Sequence, residues 1–235
     1  MMKIMRNKIL LLLISISLGL QGTCAQEFFS TEEAPVFFNL GARIGFNTSN
    51  RTFPSGYFNE WNDNSWGTGF NIGAIANLNF KDYLSLQPGI FFESRSGNYS
   101  YFTSYYDWYN KEQIHYELGH RRSYYITVPI MGIVKFNLSS QIKWLVELGP
   151  YIQFNLKDSG QNNVYVLYRP VQSSFYDYYV AEHNSFDAGL KIGTAIKVME
   201  HYYLGIHYLA GFCKAWEKPQ GGKNKSWAFT LGYDF

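Results

Sequence analysis

From Val36 to Asn47 apolar and polar positions alternate without a break. Val36, Phe38, Leu40, Ala42, Ile44 and Phe46 share one parity; Phe37, Asn39, Gly41, Arg43, Gly45 and Asn47 share the other. A β-strand sends alternate side chains to opposite faces. This segment therefore has one apolar face and one that is mostly polar or glycine. The pattern returns with its apolar set at Phe70–Phe80, Leu84–Phe92, Ile126–Phe136, Trp144–Phe154, Phe186–Ile196, Tyr202–Tyr208 and Trp227–Phe235. The opposite parity carries residues such as Asn71, Gly73, Asn77, Gln87, Glu93, Lys135, Glu147, Gln153, Asp187, Lys191 and His207. Eight such segments predict an all-β chain.

A soluble sandwich also alternates, so three further features decide the architecture. The segments run to ~10 residues or more, the length a tilted strand needs to cross a membrane. The connectors alternate in length. Lys81-Asp82, Leu138–Gln141 and Met199-Glu200 read as tight turns, whereas residues 48–66, 96–122, 157–184 and 214–225 read as long loops. Bacterial barrels pair short periplasmic turns with long outer loops in this way. The chain also ends on Phe235, with Tyr233, Leu231 and Phe229 at alternate positions before it. That ending resembles the C-terminal signal read by the barrel-assembly machinery. The expected fold is a single antiparallel eight-stranded transmembrane β-barrel, apolar toward lipid, with polar residues and glycines toward the lumen.

The first residues place the chain in an export route. Lys3, Arg6 and Lys8 precede an apolar run from Ile9 to Leu20, and Thr23-Cys24-Ala25 supplies small residues for cleavage. Residues 1–25 read as a signal peptide, residues 26–34 as a short periplasmic lead, and residues 35–235 as the barrel. The leader holds three of the 20 basic residues and none of the 18 acidic ones. The mature chain is thus nearly neutral and carries no nucleic-acid footprint. Cys213 is left alone once Cys24 departs, so no internal disulfide is expected. Aromatic residues make up 19% of the chain, a composition suited to strands.

Several stretches resemble a known family. Phe38-Asn39-Leu40-Gly41-Ala42-Arg43-Ile44-Gly45-Phe46-Asn47 looks like the first strand of the PorT-like barrels of Bacteroidetes outer membranes. Leu84–Gly89 resembles their third strand, Tyr125–Ile130 their fourth and Glu147–Tyr151 their fifth. The resemblance implies a Gram-negative outer-membrane location, and the family name implies a link to type IX secretion.

The candidate chemistry lies inside the barrel and in its loops. By parity the lumen holds Arg43, Glu93, Arg95, Lys135, Glu147, Asp187, Lys191 and His207, with Lys143, Lys197 and Asp234. Buried charges are costly unless paired, and an eight-stranded lumen is just wide enough for side chains. A structural charge network filling the barrel is the expected use, with a narrow polar pore as the alternative. No catalytic set stands out: His207 faces the lumen, and Ser226 begins the next strand as its one conceivable nucleophilic neighbour. Glu112, His115, Glu117 and His120 match no compact metal-ligand spacing, so no metal or cofactor is expected. The loops are rich in amphipathic aromatics. Strand extensions above the membrane, or an aromatic girdle at the headgroup level, are the favoured use, since Tyr99, Tyr101 and Tyr105 share one parity; Tyr101, Tyr105, Tyr106, Trp108, Tyr176 and Tyr178 are also a possible binding surface. The sequence thus predicts a non-enzymatic outer-membrane protein with outer-membrane lipid and an extracellular ligand as partners. A small-solute channel and an accessory subunit of a secretion machine are the alternatives.

Overall fold

The computed structural model describes residues 28–52, 64–106, 112–166, 169–174, 185–214 and 223–235. Residues 1–25, read above as a signal peptide, lie outside the described residues. The strands are β1 (Phe38–Thr52), β2 (Asn64–Lys81), β3 (Leu84–Tyr106), β4 (Glu112–Ser139), β5 (Ile142–Val166), β6 (Arg169–Ser174), β7 (Phe186–Val198), β8 (Tyr202–Lys214) and β9 (Lys223–Asp234). All pairings are antiparallel between neighbours in the order β4-β3-β2-β1-β9-β8-β7-β5, and β4 also pairs with β5. Eight strands therefore close into a ring, which removes every free sheet edge from the membrane. β6 pairs beside the far end of β5, from Gln161↔Ser174 to Val166↔Arg169.

The ring closes where β1 meets β9, in continuous register from Gly41↔Asp234 to Thr52↔Lys223. The same parity governs burial along most of the membrane segments. On β7 buried and exposed positions alternate from Phe186 to Val198. Ile44 is 59% exposed and Leu231 58%, whereas Glu147 is 1% exposed and Gln153 is fully buried. This is a water-soluble protein turned inside out: its greasy surface faces outward, where only lipid can cover it.

One feature differs from the reading of long loops, and one adds detail to the sequence expectation. Much of what read as long loops is strand. Residues 96–106 continue β3, 112–122 begin β4, and 157–166 continue β5. Tyr99–Tyr106 pairs with Glu112–Gly119 residue by residue, because this β-favouring sequence has a partner strand in register. The three central strands therefore reach 23, 28 and 25 residues, against the ~9–11 that a tilted strand needs to span a bilayer. The added detail concerns the described part of the lead. Its residues lie along the turn end of the barrel, where the Asn137 N–H donates to the Phe28 carbonyl and the Asp82 N–H to that of Glu32. Phe28 stacks on Phe136 with centroids 5.1 Å apart. The lead thus continues the backbone pairing of β4 below the point where β3 ends.

Candidate functional site: a lumen filled by side chains

The interior is built in layers along the strands. At the turn end, Met131, Ile133, Leu145, Ala195 and Tyr203 form a buried apolar cluster. Each occupies the inward parity of its strand. Toward the other end a second cluster joins Tyr151, Leu209 and Ala228. Between and around these clusters lie the charges.

Glu147 on β5 and His207 on β8 face each other across the intervening β7, with Nε2 to Oε2 at 2.8 Å. The Tyr203 hydroxyl donates to the other carboxylate oxygen at 2.9 Å. Gly205 makes this possible: a Cβ there would fall 2.6 Å from the Tyr203 hydroxyl and 2.9 Å from His207 Cε1. The Arg43 guanidinium lies 4.1 Å above the Tyr203 ring, a cation–π contact in a desolvated setting. Its Nη1 meets Asp234 Oδ1 at 2.6 Å, while Lys197 holds the second oxygen of the same carboxylate at 3.0 Å. Farther from the turns, Arg95 Nη2 meets Glu93 Oε2 at 2.6 Å. Lys191 rests its ammonium over the Phe91 ring at 4.9 Å.

The predicted lumen residues thus fall into distinct groups. Glu147 pairs with His207, and Glu93 with Arg95. Arg43 joins Asp234. Asp187 accepts from the Cys213 backbone N–H at 3.2 Å and from Asn224 Nδ2 at 3.1 Å. Lys135 reaches Asn79 Oδ1 at 2.7 Å, near the turn end. All but Lys135 and Lys143 are buried. Ser226 does not join His207: its hydroxyl donates to the Thr48 carbonyl at 3.2 Å.

The apolar lumen layer was harder to read from sequence. Ile75, Ile133, Leu145, Tyr203 and Leu209 break the polar run of the inward parity, and that interruption was its signal. Of the ion cluster at the turn end, parity gives only Lys143. Lys143 meets Asp82 at 2.6 Å and Glu200 at 2.9 Å, and two of these residues belong to turns, where parity gives no direction. Burial alone would raise the Asp82 carboxyl pKa. The Lys143 hydrogen bond and charge, the Asn137 hydrogen bond and the nearby Lys135 outweigh it and hold it below its ordinary 3.8.

Of the aromatic binding candidates, Tyr101, Tyr105 and Tyr106 have backbone places on β3, and their side chains lie outside the described residues. So do those of Glu112, His115 and Glu117, whereas His120 contacts Asn98 Oδ1 through Nδ1 at 2.6 Å. Trp108, Tyr176 and Tyr178 lie outside the described residues altogether.

A closed eight-stranded ring with an outward apolar face, a packed polar lumen, short turns at one end and long strands at the other defines a small outer-membrane β-barrel. The chain belongs to the outer membrane protein beta-barrel domain family, whose model matches residues 25–215. Among solved structures it is similar to Ail of Yersinia pestis in complex with the heparin analogue sucrose octasulfate, at 12% identity and TM-score 0.38, covering 85% of this chain and 100% of that one. It is similar to OprG of Pseudomonas aeruginosa at 9% identity and TM-score 0.42, covering 88% and 99%. Neisserial surface protein A aligns at 13% identity and TM-score 0.38, covering 86% and 100%. No curated protein matches the sequence.

Proposed function

We propose that this is a non-enzymatic surface-binding protein whose stem is inert and whose recognition lies on the strands beyond the outer leaflet. One observation carries the reading. β3, β4 and β5 run more than twice the length a bilayer requires, and β6 widens the sheet they form. Paired strands standing in water have no lipid to explain them; a rigid scaffold for recognition does. Tyr101, Tyr105 and Tyr106 have their backbone on this part of β3, and aromatic side chains suit binding surfaces; Trp108, Tyr176 and Tyr178 complete the surface the sequence suggests. The packed lumen speaks against solute passage, and His207 is already held by Glu147 and Tyr203 rather than by a nucleophile.

The same reading makes the chain a PorT-like barrel of Bacteroidetes type. Residues 1–25 are a cleaved signal peptide, residues 26–34 a periplasmic lead and residues 35–235 the barrel. Phe235 addresses the barrel-assembly machinery. The test uses cells displaying the full chain on arrays of glycosaminoglycans, glycans and matrix proteins. The full chain retains at least one array member and a variant lacking residues 99–119 loses it. Equal retention by both, or none by either, overturns the proposal.

A further inference from the structure

We propose that the outer face of β4 and β5 carries a phosphate-binding site for the glycolipid of the outer leaflet, with Arg122 and Lys157 as its two cationic arms. The site starts from a register fault. β4 and β5 pair as Tyr125↔Asn155 and then as Tyr124↔Lys157, so β5 contributes one extra residue, Leu156. By simple alternation Lys157 would share the inward parity of Gln153 and Asn155. The bulge re-aims the strand beyond it. Lys157 comes out opposite Tyr124, and both Leu156 and Lys157 are exposed. The next pair, Ser123↔Asp158, faces inward, and Arg122↔Ser159 faces outward again.

Arg122 and Lys157 thereby become diagonal neighbours on one face of adjacent strands, a spacing of roughly 7–8 Å between backbones that long side chains bridge with ease. Two cations so placed repel each other unless an anion lies between them. Among the described residues none does. Asp158, the adjacent carboxylate, is turned into the barrel. It accepts from Arg121 at 2.9 Å, from Asn155 at 2.8 Å and from the Ser123 hydroxyl.

The position fits a lipid headgroup. Directly toward the membrane lie Leu156, 57% exposed, and Phe154, 43% exposed, so the cations sit where the apolar belt ends. The distribution of charge over the two ends fits too. At the turn end Lys143 and Lys197 are held by carboxylates, Lys143 by Asp82 and Lys197 by Asp234. At the long-strand end the outward cations Arg122, Lys157 and Lys223 are exposed, and Lys225 lies over the Trp66 ring at 5.3 Å. Among side chains described there, no carboxylate points outward. A guanidinium and an ammonium carried on one face of neighbouring strands at the edge of the hydrocarbon are matched by a phosphate monoester on a sugar headgroup: arginine offers paired donors and lysine a compact charge. A headgroup anchored by acyl chains also gains from the greasy surface below.

The experiment titrates the full folded chain in uncharged micelles with diphosphoryl lipid A, with the same lipid after enzymatic removal of both phosphates, and with phosphatidylglycerol, counting bound lipid by native mass spectrometry. Wild type binds the diphosphoryl form at least tenfold more tightly than either other lipid, and 10 mM inorganic phosphate does not displace it. The double variant R122Q/K157Q loses that tenfold preference while keeping the mobility of the folded barrel on unheated gels; K223Q/K225Q keeps most of it. Undiminished preference in R122Q/K157Q overturns the site. Equal binding of phosphatidylglycerol, or displacement by inorganic phosphate, overturns the glycolipid as its occupant.

Discussion

Arg43 and Asp234 stand on the first and last strands of the ring, and their side chains meet at 2.6 Å inside it. Gly41, the backbone partner of Asp234, leaves the space in which the two touch: a Cβ there would fall 2.9 Å from Arg43 Nη1. The seam that closes the barrel is thus joined by backbone pairing and by a buried ion pair. Lys197 shares the same carboxylate, so Asp234 neutralises two cations at once.

Asp234→Asn keeps the shape and removes the charge. Breaking a buried ion pair from one side costs about 3–5 kcal/mol, because the remaining charge stays buried and uncompensated. Urea unfolding of the folded protein in lipid vesicles is expected to show a loss in that range. A loss under about 1 kcal/mol would mean that Arg43 finds water in place of its partner.

How much of this was legible beforehand depends on what each residue obeys. Strand parity depends only on alternation, so the inward placement of Arg43, Glu147, Lys191 and His207 could be read directly. Partner choice could not. Glu147 meets His207 across β7 because the registers of two successive pairings, Glu147↔Gly193 and Gly193↔His207, line them up, and no local pattern encodes that register. Tyr203 lies on the inward parity by the same alternation, but nothing local to it names Glu147 as the acceptor of its hydroxyl. The strand extensions were legible only in part: the shared parity of Tyr99, Tyr101 and Tyr105 points to them, but without lipid both faces of Tyr99–Tyr106 can be polar or aromatic, and the alternation that marks a membrane strand is lost.

The packing of the lumen bears on transport. Met131, Ile133 and Leu145 cross the interior as an apolar layer, with exposures of 1%, 1% and 3%. The folded protein in planar bilayers is expected to give no steady current above baseline at 1 M KCl. Leu145→Gly together with Ile133→Gly empties that layer and is expected to cost several kcal/mol of stability through the cavity left behind. A steady, single-sized conductance from the wild-type chain would show that the layer rearranges.

The turn between β7 and β8 carries unrelieved strain. Met199 has φ of 53° and Glu200 of 60°, a left-handed pair that suits tight hairpins but is expected of Asn-Gly. Glu200 has a compensating role through Lys143; Met199, 55% exposed, has none of that kind. Met199→Asn is therefore expected to raise stability by about 0.5–1 kcal/mol, since Asn tolerates the left-handed region at lower cost. Comparison of urea midpoints, with Met199→Ala as the control that keeps the strain, checks the sign.

The Asp82–Lys143 pair gives the turn end a pH dependence. Asp82 titrates below its ordinary 3.8 in the folded chain, so the unfolded chain takes up its proton first as the pH falls. The stabilisation is therefore present above pH 3.8 and lost as acid carries the solution through the lower, folded value. Wild type and Asp82→Asn should differ in unfolding midpoint at pH 6, and the difference should shrink toward zero near pH 2. Both partners are partly open to solvent, at 18% and 16% exposure, so salt at about 1 M should also reduce the difference through screening. Lys143→Gln should abolish most of the pH dependence that separates the two proteins, because Lys143 supplies the main opposing charge. A gap between wild type and Asp82→Asn that stays constant from pH 6 to pH 2 would assign the role of Asp82 to the shape of the turn, where its backbone N–H is already held by Glu32.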